Sequence, residues 1–131
     1  MKSKLRMTLA GMLLASALPA VAHHSFYAEF DANKLVRLEG TVIKMEWVNP
    51  HSWLHIAVEN EQGETEEWKV EGGSPGVLMR LGWTRDSLPP GTKVIVNGFQ
   101  AKDGSHRANS RGIEFPDGTV MEMGGSSRRA E

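Results

Sequence analysis

From Leu35 to Val48 apolar and polar residues alternate along one unbroken stretch, and partway along it the apolar face changes sides. Leu38, Gly40 and Val42 share one face; Ile43, Met45 and Trp47 then take over the apolar role. A two-residue period marks a half-buried β-strand. A phase change inside one strand needs an extra residue or a sharp bend, and Gly40 stands close to it. A long bent first strand can serve both halves of a sheet that curls on itself.

Asn49-Pro50 is turn chemistry. Trp53 to Val58 alternates again, Glu61 to Glu64 reads as a hairpin tip, and Glu67 to Glu71 is a third strand around Trp68 and Val70. Gly72-Gly73 breaks the pattern. Ser74-Pro75 offers a hydroxyl cap followed by proline at the first helical position, and Gly82 suits the end of a short helix from about Pro75 to Leu81. Trp83 and Leu88 should fold back over that end. Pro89-Pro90-Gly91 turns into a fourth strand carrying Val94 and Val96; Lys102 to Asn109 reads as a polar loop. Arg111 to Phe115 and Thr119 to Met123 read as the last two strands. This order predicts a mainly β fold: a small OB-fold-like Greek-key barrel of five to six strands, with one short helix between strands three and four. A small open sheet with one packed helix is the competing architecture. Val42, Leu54, Ile56, Val70, Leu78, Val94 and Val96 should be buried.

The first 22 residues have the order of a secretory signal. Lys2, Lys4 and Arg6 precede a short apolar run from Met7 to Leu18, Pro19 breaks it, and Ala20-Val21-Ala22 supplies small residues for cleavage. The run is shorter than the roughly 20 apolar residues a spanning helix needs. The expected product is a periplasmic domain over residues 23–123, with a disordered Gly, Ser and charge-rich tail over 124–131. Removing three basic residues from 15 leaves 12 against 16 acidic ones, net −4, which argues against a nucleic-acid partner. No later apolar run could span a bilayer. The chain has no cysteine, so no disulfide is expected despite the oxidising compartment.

Several segments together carry a resemblance. They are His23-His24-Ser25, Leu38-Glu39-Gly40-Thr41-Val42, Trp47-Val48-Asn49-Pro50-His51, Glu71-Gly72-Gly73-Ser74-Pro75, Gly82-Trp83-Thr84-Arg85-Asp86-Ser87-Leu88 and Asp103-Gly104-Ser105. The set resembles a family of small exported bacterial proteins of unknown function, domain-of-unknown-function family 6152. The resemblance implies an envelope location and a single domain, and no activity.

The residues that could carry chemistry are mainly histidines. Cleavage after Ala22 would give His23 a free α-amine beside its own imidazole. Amine and Nδ1 of one histidine can chelate a metal, and a further imidazole from His24 or His51 would complete a planar nitrogen set suited to Cu(II). Locally this resembles the amino-terminal histidine copper sites of other secreted proteins. His51 lies at the corner between strands one and two. His55 lies about 13 Å further along the same strand face at ~3.3 Å per residue, so it reads as a strand-surface residue, and His106 as a solvent-exposed one. Met121 and Met123 could offer soft sulfur to Cu(I), but two methionines at strand alternation read first as packing. The four tryptophans read as core and rim, and Arg85-Asp86 as a structural ion pair.

Three classes of function follow. One is a periplasmic binding protein that takes copper through His23, His24 and His51. Another is a metal-independent binding or accessory module for a small molecule or an envelope protein partner. The third is an enzyme, which no motif supports: there is no phosphate loop and no Ser/His/Asp set at an informative spacing.

Overall fold

The computed structural model describes residues 26–129. The cleavage site and the expected ligands His23 and His24 therefore lie outside the described residues. A four-residue helix α1 (Phe26–Glu29) runs into the long strand β1 (Phe30–Glu46). β2 (Trp53–Glu59) and β3 (Thr65–Glu71) form an antiparallel hairpin, followed by helix α2 (Pro75–Arg80). β4 (Lys93–Ala101), β5 (Arg107–Glu114), β6 (Val120–Met121) and a 3₁₀ turn (Ser126–Arg129) complete the order.

The bent strand is the organising element. Its first part pairs with β4 from Phe30 to Thr41, and its second part pairs with β2 from Gly40 to Glu46. The register shifts between Val42 and Lys44. Ile43 is thus the extra residue: Val42 is buried, Ile43 is exposed, and Met45 returns to the core. Gly40 sits just before this bulge, where the backbones press together. A Cβ there would lie 2.8 Å from the carbonyl oxygen of Ala57.

The sheet closes on itself. Antiparallel pairings link β3 to β2, β2 to β1, β1 to β4 and β4 to β5. A short parallel contact, Lys69 to Arg107 through Glu71 to Asn109, joins β3 back to β5. β6 hangs on β5 outside the ring. Three strands, a helix, then the remaining strands is the order expected of an OB-like Greek key. All seven apolar positions expected inside are buried, and Leu54, Ile56, Val70, Leu78 and Val96 are fully so.

Helix α2 forms where the cap predicts. The Ser74 hydroxyl accepts a hydrogen bond from the Val77 amide, Pro75 opens the helix, and Gly82 turns the chain at φ 93°. Trp83 then folds back, buried, and its indole N–H donates to the Glu122 carbonyl at 2.8 Å.

The chain is regular from Phe26 onward. Phe26 and Phe30 are one helical turn apart, and both rings meet a satellite apolar cluster that includes Phe99. The loop expected over 102–109 ends early, because Arg107 already starts β5. The tail expected to be disordered from residue 124 is docked through Ser127. Gly124 and Gly125 are not slack there. A Cβ on Gly124 would lie 2.6 Å from Val77 Cγ1, and one on Gly125 would lie 2.9 Å from Asn109 Nδ2. Small residues at these positions let the chain pass close to α2 and then to β5.

Candidate functional site

His51 stands just before β2, at the connection that follows Asn49-Pro50. Two backbone bonds pin this corner to the end of β3: the Ser52 amide donates to Gly73 at 2.9 Å, and the Gly72 amide donates to Ser52 at 2.9 Å. The His51 ring is partly exposed. Its Nδ1 lies 3.3 Å from the Gly72 carbonyl and 3.5 Å from Glu71 Oε1.

Glu71 is the unusual member of this group, because its side chain is only 4 % exposed. Burying a carboxyl group is costly unless donors surround it. Here they come from two distant parts of the chain. Asn109 Nδ2, on β5, donates to Glu71 Oε1 at 3.0 Å, and the Ser126 amide donates to the same oxygen at 3.4 Å. Asn109 Nδ2 also donates to the Ser126 hydroxyl at 2.8 Å, and its Oδ1 accepts from the Ser127 amide at 3.2 Å. The docked tail is thus what roofs Glu71. The parallel β3–β5 register sets Glu71 beside Asn109.

Helix α1 lies against the same 3₁₀ turn. The amino-terminal and carboxy-terminal ends of the described chain therefore meet over the Glu71 region. Residues 23–25 come immediately before this helix in the sequence.

The other expected ligands and charges are placed differently. His55 is not a surface residue. Its side chain is 8 % exposed and clamped between two carboxylates, Nδ1 at 2.6 Å from Glu67 and Nε2 at 3.1 Å from Glu46. Both nitrogens can donate at once only when the ring is protonated. No single strand reveals this clamp, because its members come from three strands. His55 is opposite Lys44 and Lys69, so Glu46 and Glu67 are its diagonal neighbours on the same face.

Lys44, hydrogen-bonded to Glu46 at 2.9 Å, and then His55 pull Glu46 from its ordinary 4.5 down to about 2. A depressed carboxylate pKa gives stability that is complete above the unfolded value and is lost as pH falls through the folded one. The Glu46 contribution should therefore fade between pH 4.5 and about 2. Glu46→Gln should flatten that part of the acid-unfolding curve, followed by circular dichroism. An unchanged curve would show that the clamp contributes nothing to stability.

His106 stacks on Trp68 at 4.9 Å between centroids and approaches Glu66 at 3.4 Å, while remaining half exposed. Met123 is fully buried and packs where a Cβ on Gly72 would fall, so the methionine pair is packing. Trp68 and Trp83 are core. Trp47 and Trp53 sit at the rim under cations: Arg85 lies over Trp47 at 5.5 Å, while Lys69 and Arg107 lie over Trp53 at 4.9 and 5.5 Å. Arg85 is therefore a cation–π partner of Trp47 rather than the expected partner of Asp86.

Among the described residues no group of three or more His, Cys, Asp and Glu could hold a metal ion. Nor is any described helix long and apolar enough to cross a membrane. These features define a small, mainly β domain whose sheet closes in a ring, with a buried polar cluster where its two ends meet. The chain belongs to the family of unknown function DUF6152, whose model matches residues 10–110. No curated protein and no solved structure matches it.

Proposed function

We propose that this is an exported periplasmic binding protein that holds one Cu(II) ion at its processed amino terminus. The His23 amine and imidazole form the chelating pair, and His51 or His24 completes the nitrogen set. The observation that carries this reading is the setting of His51. It stands partly exposed at a corner, its described partners are all on Nδ1, and the tail beside it touches the helix that residues 23–25 precede. No group of described residues could hold a metal ion by itself, so this reading depends on the donors that cleavage after Ala22 would create.

The chemistry fixes a pH dependence. An α-amine must lose its proton to ligate, and its unperturbed pKa is about 7.7–8.0. Lowering the pH from 8 to 6 should weaken Cu(II) binding roughly 40-fold from the amine alone, and further from imidazole protonation. Competition titration of protein whose mass shows a His23 start measures this. His51→Ala should weaken binding at both pH values, because the chelating pair survives but a donor is gone. Binding that is independent of pH would rule the amine out.

The second reading is a metal-independent module. It is favoured by a groove of about 510 Å³ lined by residues including Gly40, Thr41, Ala57, Val94 and Phe115. A small molecule or an envelope protein segment would be its ligand. Processed protein that takes up no Cu(II) at pH 8 would favour this account.

A further inference from the structure

The Glu71 cluster has more organisation than a strand end requires. A carboxyl group is buried under the returning tail, its two donors are Asn109 Nδ2, set beside it by the β3–β5 register, and the Ser126 amide of the tail, and its partly exposed neighbour is a histidine. We infer that Glu71 is the positioning residue for His51, holding the ring with Nδ1 inward so that a metal is taken on Nε2. This rests on the copper reading above.

The two acceptors near Nδ1 are the Gly72 carbonyl at 3.3 Å and Glu71 Oε1 at 3.5 Å. Neither can donate a hydrogen bond when Glu71 is a carboxylate, so the neutral ring keeps its proton on Nδ1 and its lone pair on Nε2. Metal-bound histidines commonly have such a partner on the second nitrogen, and the partner raises ligand basicity and fixes the ring. Glu71 is itself held by Asn109 Nδ2 and the Ser126 amide. The tail and β5 therefore set the histidine through one carboxylate. A buried negative charge beside the site also favours a cation over an uncharged occupant.

Two measurements test this. The first uses the unmetallated wild-type protein: long-range ¹⁵N–¹H spectra at about pH 8, above the ordinary histidine range, should show the Nδ1–H tautomer of the His51 ring. A dominant Nε2–H tautomer overturns the inference without reference to any metal. The second is a cycle of Glu71→Gln, His51→Ala and the double variant, titrated with Cu(II) alone. Glu71→Gln keeps the shape and one acceptor oxygen while removing the charge. It should weaken binding about 10–100-fold and alter the Cu(II) electron paramagnetic resonance spectrum. In the His51→Ala background the same change should have little further effect. A Glu71→Gln effect that persists without His51 means that Glu71 acts on the fold or the general field, and the inference fails. If His51→Ala weakens binding and Glu71→Gln does not, Glu71 has no positioning role while the copper reading stands. If wild-type protein binds no Cu(II), the copper reading fails, and Nε2 loses its assigned ligand with it.

Discussion

Gly98→Ala is expected to be among the most damaging single substitutions in the chain, although it adds one methyl group. Gly98 lies on β4, opposite Ser110 of β5, at a register shift between Asn97 and Gly98. A Cβ at Gly98 would fall onto the carbonyl oxygen and carbon of Asn109. The obstruction is backbone, so no side-chain rotamer can relieve it. Added volume in packed cores costs about 1–3 kcal/mol, occasionally more, and this case belongs at or beyond the upper end. For a domain of this size that corresponds to a melting temperature lower by roughly 10–20 °C. The damage should also reach the polar cluster, because Asn109 holds both Glu71 and the Ser127 amide. Thermal unfolding and the Ser127 amide resonance would report the two effects together. A variant with wild-type melting would mean that β4 and β5 can separate here without cost. Gly118→Ala is the contrast: it has positive φ but nothing within 4 Å of its Cβ, so its cost is confined to turn strain.

How far the sequence discloses this protein depends on the range over which each feature is set. The strands and core are local in origin. Alternation placed Leu54, Ile56, Val94 and Val96 inside, and the Ser74-Pro75 cap placed α2. The bulge was legible as the phase change that begins at Ile43, the extra residue. Features that depend on a distant partner were not. Arg107 to Asn109 reads as loop because the segment is polar, yet Asn109 is buried, and so is Ser110 after it. Asn109 is buried because the tail returns over the outer face of β5. Glu71 reads as the charged end of a strand for the same reason. Its cage includes residues 38 and 55 positions away in sequence. The His55 clamp draws on three strands at once, so it emerges only when register is known. His51 was legible as a corner residue, while Glu71 and Gly72 beside its Nδ1 were not.

The central claim is that the amino-terminal histidine, made by processing, creates the copper site. Its most direct test compares two proteins by Cu(II) titration at pH 8. One begins at His23; the other carries a four-residue extension before it. A one-residue extension is the wrong control, because it would put His24 third from the new amine, itself a chelating spacing. Four residues move the amine away from both histidines and leave every described residue untouched. Losing one arm of a chelate turns an intramolecular contact into an intermolecular one, which commonly costs 10² or more in affinity. The processed protein should therefore bind one Cu(II) at least about 100-fold more tightly than the extended one. Equal affinity in the two proteins would contradict the account.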